Sequence, residues 1–520
     1  MTVQFPFEEP APIAQSKGPS PEAPNVPARP TPDRSIPGRA IILVYAVLAI
    51  LLAIPILAAE VPLGVDDFNH LSRIYVRAHI ASDSDLAHFF RIRTDIIPYL
   101  GMDLLLTPVA RVLPIMLVGR LYILALVWGV VGAVVVLQRA FTGRIGFEPA
   151  AAGIFAYNGL LAWGLINYLL GIILALLLLA GWHSQRRRYW LTRLLLFTCA
   201  ATLLYITHVF AFALYGIMVV SYEVLSRPTP WRTPLRDWMV LVGQAVPSLL
   251  LWRAISNKLI GAGFTIEYFP WFKLVSFGSP FIFDSAAGGP KILMSLEIIL
   301  VGCVILYIST ARGWLTWCRT LAGPVLLLLA LTAIMPYRAF GVALLDYRFA
   351  LPAACLAFAG LRIAPPLMPR GVLAIGAIAL LTLLRTVEAS AVMHRCDSQY
   401  AELRNALAAL PRGVELTTVL EKTDPVPGVA CTSLPIYLHM AQLVTIDRSG
   451  FAHDFFAIVT SVGVRDGMVA DTDPESAETF VAGPPGGYVL WIHLGRHRQP
   501  PAGFVLLREG SFFDLWSVRV

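Results

Sequence analysis

Charge is scarce in this chain. Of its 520 residues 14% are Asp, Glu, Lys or Arg, where an ordinary soluble domain carries about 25%. With 57% of the residues hydrophobic, a single soluble core is excluded. Glycine-rich phosphate loops are missing too: no GxGxxG opens a helix after a strand, and no GxxxxGK is followed by Ser or Thr. That argues against a nucleotide cofactor or an ATP-driven pump. Neither a solenoid-length repeat nor the inverted repeat of many secondary transporters is visible, and no dense His/Asp/Glu cluster has metal-ligand spacing. No short apolar core with a small-residue cleavage site precedes the first apolar run, so that run is expected to stay as an anchor.

What the chain has instead is apolar runs. Residues 1–38 are crowded with proline and read as a disordered cytoplasmic tail. Eleven stretches then read as membrane crossings, near 40–59, 115–137, 149–164, 167–182, 193–208, 209–225, 238–255, 292–311, 321–335, 348–361 and 372–387. The short loops with Arg139, Arg144, the run HSQRRRYWLTR, Arg227, Arg232, Arg236, Arg312 and Arg319 all fall on one side, inner by the positive-inside rule. Orientation thereby accounts for most of the net charge of +7, without any nucleic-acid partner. An odd number of crossings leaves 390–520 outside. There the helical YAELRNALAAL is followed by the β-rich VELTTVL, QLVTI, YVLWIH, FVLLRE and DLWSVRV, with Pro/Gly turns between, the pattern of a small α/β domain. The domains are therefore 1–38, 39–389 and 390–520. Cys199, Cys303 and Cys355 fall in spans and Cys318 in an inner loop, whereas Cys396 and Cys431 share the outer domain. These two either pair in an oxidising compartment or remain free thiols.

Directly after the first apolar run stands VDDFNHLSRIYVR, residues 65–77. If it is helical, Asp66, His70, Arg73 and Arg77 share one face and Phe68, Leu71 and Tyr75 another. Such a helix is expected to lie on the outer membrane surface, apolar side down. Asp66 and Asp67 point about 100° apart on it, so they are not a paired dyad. A surface ion-pair helix would need no chemistry, but further polar residues are expected at the same level: Asp103, Asn158, Asn167, His208, Tyr337, Arg338, Asp346, Tyr347 and Arg348. Ionisable groups near membrane depth are costly and face a cavity or a partner. The chemistry such a set can serve is group transfer from a lipid phosphate, with a carboxylate as general base and arginines on the phosphate.

With these residues assembled, the chain resembles the GT-C superfamily of polytopic glycosyltransferases, and more narrowly a group of bacterial membrane proteins with a D-x-x-N-H-L-x-R motif in the first outer loop. Here that motif is Asp66, Asn69, His70, Leu71 and Arg73. The likeness continues through PYLGMD with Asp103, YNGLLAWGLINYLLG with Asn158, Gly164, Asn167 and Gly171, THVFAF with His208, and LLDYRFALPA with Asp346 and Arg348. It covers about 40–390, and the outer domain more loosely. The resemblance implies a mainly α, polytopic fold with amphipathic helices in the first periplasmic loop, in a bacterial inner membrane, with the N-terminus cytoplasmic and the C-terminal domain periplasmic. It implies a glycosyltransferase that moves a sugar from a polyprenyl-phosphate carrier to a lipid, glycan or protein acceptor, working among membrane lipids and envelope glycan assembly partners. Asp66 is then the expected base, with Asp67 or Asp103 as a second acid. His70, Arg73, Asn167, His208, Arg338 and Arg348 are expected to bind substrate, Arg348 at the carrier phosphate. A divalent cation (Mg or Mn) could be shared by Asp66, Asp67 and Asp103 if they converge. A transporter or flippase would instead place ionisable residues and broken helices at mid-bilayer depth, and a non-catalytic assembly component would leave the acids dispensable.

Overall fold

The computed structural model describes the chain from Gly38 to Val518, without the segments 61–63, 226–234, 260–264, 285–291, 365–367, 422–425, 457–459, 469–473, 478–479, 481–485 and 497–502 and residues 96, 340, 427 and 467. The tail expected over 1–38 lies outside the described residues except for Gly38, which opens the first helix.

The protein is mainly helical. In chain order the helices are α1 (Gly38–Ala58), α2 (Asp67–His79), α3 (Ser84–Phe89), α4 (Gly101–Ala110), α5 (Ile115–Thr142), α6 (Gly159–Ala162), α7 (Ile166–Ser184), α8 (Trp190–Thr207) and α9 (Val209–Leu225). They continue as α10 (Leu235–Gly243), α11 (Val246–Leu259), α12 (Phe272–Gly278), α13 (Ile292–Ala311), α14 (Ala322–Ile334), α15 (Ala350–Ala359), α16 (Met368–Leu407) and α17 (Leu443–Arg448). Among the described residues α1, α5, α7, α8 and α16 are long and apolar enough to cross a bilayer, and α4, α9 and parts of the α13 and α14 segments are shorter apolar helices. The chain is thus a multi-pass membrane protein. In α1 the burial of each side chain explains the placement: Leu43, Val47, Ile50, Ile54 and Leu57 are exposed along one stripe, whereas Leu48, Leu52 and Ile56 pack inward on α16 and α5. An apolar stripe without protein against it is what lipid covers.

Three spans differ from expectation. The run expected at 238–255 is two helices, α10 and α11, separated by a turn at Gln244 and Ala245. Residues 149–164 do not form one α-helix. They are a 3₁₀ segment, Glu148–Phe155, followed by the single turn α6, which Asn158 caps by accepting from the Leu160 and Leu161 N–H groups at 3.0 and 3.1 Å. Every residue from 148 to 162 is buried, and irregular backbone is tolerated at membrane depth only where protein covers it. Ala150, Ala151, Ala152 and Gly153 are small enough for α16, α5 and α15 to close on it. The last apolar run does not stop before a separate domain either: α16 continues unbroken through 389/390, so this one long helix joins the bundle to the C-terminal region.

The strands are β1 (Phe90–Ile92), β2 (Ile266–Glu267), β3 (Leu315–Trp317), β4 (Arg338–Ala339), β5 (Leu361–Ile363), β6 (Glu415–Leu420), β7 (Phe451–Ala452), β8 (Val462–Val464), β9 (Glu475–Ser476), β10 (Tyr488–Ile492), β11 (Phe504–Glu509) and β12 (Phe513–Val518). In the C-terminal region the sheet order is β11-β12-β10-β6-β7, with β9 also on β6. QLVTI, expected as β-rich, is mostly the helix α17: its Leu443, Val444 and Ile446 are buried, and it packs against α2 and α16, so tertiary packing overrides β-branched propensity. The ladders β2·β4 and β3·β5 each join loops between helices, and β1·β8 sews the segment after α3 to the C-terminal region. One apolar core runs from the helices into that region, and Phe89, Phe90, Phe451 and Phe455 form a second cluster at the seam.

Candidate functional site

Asp66 stands one residue ahead of α2, with φ −91° and ψ 0°, and its carboxylate makes no capping bond. Gly164 presses on it from the turn after α6. That residue has φ +75°, and a Cβ there would lie 2.4 Å from the Asp66 nitrogen, so only glycine fits. One and two turns along α2, His70 and Arg73 follow Asp66 on the same edge, and all three line a cavity of about 230 Å³. Arg77 does not reach it. α2 is not laid open on a membrane surface as expected. It carries buried apolar residues on two sides, Phe68, Leu71 and Ile74 on one and Val76 on the other, and is enclosed by α4 and α5 on the bundle side and by 436–448 of the C-terminal region.

The remaining walls come from helix ends and loops. His208 is a single extended residue, φ −164° and ψ 119°, separating α8 from α9, and this break turns its ring into the cavity, where it meets the Tyr99 ring edge-on at 4.7 Å. Tyr99 has φ +78°, a left-handed backbone that is strained for an aromatic residue. Asn167, at the start of α7, holds this corner by donating to the Tyr99 and Thr207 carbonyls at 3.2 and 3.3 Å. Arg348 enters from the 3₁₀ turn Asp346–Arg348. Its guanidinium lies 5.0 Å from the Tyr168 ring centre and 4.9 Å from that of Phe210, while the Tyr168 hydroxyl donates to its carbonyl at 3.0 Å. Below the turn, Lys273 of α12 reaches Asp346 at 2.7 Å and Ser276 donates to the same oxygen at 3.0 Å. Among the described residues no carboxylate stands within ion-pair distance of Arg348. A buried guanidinium thus faces the cavity, held by two aromatic faces and by a long bond from Nη2 to the Ala343 carbonyl at 3.5 Å.

Of the residues expected in the site, the cavity gathers Asp66, His70, Arg73, Asn167, His208 and Arg348. Three others stand apart. Asp103 is spent on Arg73, whose Nε and Nη2 donate to Oδ1 at 3.0 and 2.9 Å, and Ser461 donates to its other oxygen. Asp67 is 1% exposed, and among the described residues neither of its oxygens has a hydrogen-bond partner. Burial, and then the neighbouring charge of Asp66, push its carboxyl up to about 8. Arg338 lies outside the lining on β4, 3.6 Å from Glu267 and 43% exposed. The carboxylates expected to share a divalent cation therefore do not converge: Asp67 turns into the core and Asp103 to Arg73. No group of three or more His, Cys, Asp or Glu able to hold a metal occurs among the described residues. His70 is held well below its ordinary value, first by burial and then by Arg73, so its ring is neutral near pH 7 and can donate one proton without competing for charge.

Part of the site was not foreseen. His439 is buried and stands 3.6 Å from Asp66 and 3.5 Å from Asp454. Asn69 of α2 fixes the loop carrying Asp454, donating to the Asp454 carbonyl at 2.9 Å and accepting from the Phe456 N–H at 2.9 Å. Phe456 and Thr460 of that loop line the cavity. A histidine in the otherwise apolar stretch LPIYLHMA was the available signal, but only the fold brings 439 and 454 to residue 66. Cys396 and Cys431 are joined, S–S 2.11 Å and Cα–Cα 5.1 Å, which ties α16 to the segment leading to His439.

The fold of this chain is shared by proteins of known structure. In particular, the chain matches crystal structures of ArnT from Cupriavidus metallidurans. The one bound to undecaprenyl phosphate has a TM-score of 0.51 and 11% identity over 93% of this chain and 98% of ArnT. The apo one has a TM-score of 0.51 and 12% identity over 92% and 98%. No protein-family model and no curated protein sequence matches the chain. At such identity the likeness is one of fold.

Proposed function

We propose that this protein is a membrane glycosyltransferase that takes a sugar from a polyprenyl-phosphate carrier and passes it to an acceptor hydroxyl on the outer face of a bacterial inner membrane. The chain would cross that membrane eleven times, counting the broken segment 149–164, with the N-terminus cytoplasmic. The observation that carries the reading is the juxtaposition of the Asp66 carboxylate with the guanidinium of Arg348 and the imidazoles of His70 and His208 in one cavity at the ends of the helices. Asp66 takes the proton of the acceptor hydroxyl as the acceptor oxygen bonds to the anomeric carbon. The bond from that carbon to the phosphate oxygen breaks, its electron pair stays on the phosphate, and Arg348 neutralises the charge. Asp67, protonated near pH 7, is unfit as the base, which leaves the role to Asp66. The fold of ArnT, a protein crystallised with undecaprenyl phosphate, supports a carrier of that kind. A transporter reading gains less, because the ionisable groups gather at helix ends and the broken segment is buried against protein.

The test is glycan output in cells that depend on the protein. Asp66→Asn is expected to lower product by about 10²–10⁴-fold, the usual share of a general base, at unchanged membrane abundance, with Asp67→Asn close to wild type. For the carrier, native mass spectrometry with undecaprenyl phosphate should show Arg348→Ala binding at least about tenfold more weakly, the loss of a charge-assisted bond. Wild-type product from Asp66→Asn together with wild-type binding by Arg348→Ala would end the proposal.

A further inference from the structure

We propose that His439, supplied by the C-terminal domain, is the positioning residue of Asp66, bridging it to Asp454 as an imidazolium. This rests on the reading of Asp66 as the base. His439 lies with Nε2 3.6 Å from Asp66 Oδ1 and Nδ1 3.5 Å from Asp454 Oδ2, its side chain 4% exposed. A ring set between two carboxylates meets an acceptor at each nitrogen, and only the doubly protonated form donates to both. Both separations are long for hydrogen bonds, as such contacts often are before a substrate closes a site. The surroundings are built to hold this order. Asp454 is itself fixed, accepting from Gln442 Nε2 at 2.9 Å while Asn69 grips its carbonyl. The Phe456 ring stands edge-on to His439 at 4.7 Å, and most of the 3₁₀ segment Ile436–Gln442 that carries His439 is buried. Among the described residues, the titratable and charged groups facing His439 include Asp66 from the loop before α2, Asp454 from the loop after β7, and His70 from α2, with Arg73 beyond His70.

The consequence is that the bundle supplies the base and the C-terminal domain aims it. Protonated His439 holds one edge of the Asp66 carboxylate, and this contact is lost as pH rises through the titration of the ring. With a carboxylate at each nitrogen, only the charged ring donates to both, so deprotonation of the ring releases its hold on Asp66.

The experiment uses the full-length protein in vesicles made from the total lipid extract of the host, which carries its own polyprenyl-phosphate sugars, with product read by mass spectrometry from about pH 5.5 to 9. The wild type is expected to lose rate on the alkaline side. His439→Gln, whose amide still donates but does not titrate, is expected to run about tenfold slower at neutral pH, with KM within about twofold, and to lack the alkaline limb. Asp454→Asn removes one carboxylate and is expected to move that limb to lower pH. A His439→Gln rate and alkaline limb equal to wild type, or an Asp454→Asn limb that stays in place, overturns the role of His439. Should His439→Gln fail to fold, seen as lost undecaprenyl-phosphate binding, the Asp454→Asn shift decides alone. A wild-type rate from Asp66→Asn in the same vesicles would sink the reading of the base itself, which separates the two failures.

Discussion

At the scale of single residues, adjacent aspartates are given opposite work by their surroundings. Asp66 faces a cavity and is 23% exposed, whereas Asp67 is enclosed beside Tyr122 and Tyr400. Water withdrawn from a carboxylate raises the cost of its charge, so Asp67 keeps its proton. Because its folded value of about 8 lies above the unfolded one of 3.8, the folded state binds the proton more tightly, and this contribution is present at acid pH and lost as pH rises through about 8. Asp67→Asn, which mimics the protonated form at every pH, is therefore expected to match the wild-type melting temperature near the unfolded value and to exceed it increasingly up to about pH 8. Thermal unfolding in detergent across that range checks this, and a gap independent of pH would place the charge elsewhere. That two acids follow the first apolar run was legible from the sequence. Which one keeps its charge was not, since burial of Asp67 is decided by residues as distant as 122 and 400.

At the scale of elements, α2 shows how far periodicity reaches. The edge shared by Asp66, His70 and Arg73 follows from 3.6 residues per turn, and the structure uses that edge. Its covering could not be read the same way. Val76 is buried in a cluster with Phe451, Phe455 and Val462, more than 370 residues on. α16 offers a similar case, an apolar span whose continuation as a polar helix through 407 carries the disulfide partner Cys396. Linking residues 35 apart removes loop entropy from the unfolded chain worth about 4 kcal/mol. The double variant Cys396→Ser, Cys431→Ser is expected to melt below wild type, and reductant to lower the wild type but not the variant. Equal melting in all arms would show that the link carries no stability.

At the scale of the whole molecule, the C-terminal region is bound to the bundle rather than tethered beside it. α16 runs into it, β1 pairs with β8, Arg404 reaches both Glu60 and Asp447, and one core crosses the boundary expected at 389/390. The orientation argued from arginine-bearing loops makes a direct prediction. With Cys199, Cys303, Cys318 and Cys355 replaced by Ala, a cysteine introduced by Glu475→Cys is expected to react with a membrane-impermeant thiol reagent from the periplasmic side. One introduced by Arg188→Cys should react only after the membrane is opened. The reverse pattern would invert the topology and move the cavity to the cytoplasmic face.

The sequence by itself determined that this chain lives in a membrane, that its polar residues gather in particular loops, and that Asp66, His70, Asn167, His208 and Arg348 were worth watching. Those are matters of local composition and helical spacing, which the chain carries along its length. The tertiary structure decided which of these residues share a cavity, that Arg73 and Asp103 neutralise each other, that Asp67 is withdrawn, and that His439 and Asp454 join Asp66 from the far end of the chain. Each of those depends on burial and on contacts between residues separated by tens to hundreds of positions, and no local pattern specifies them.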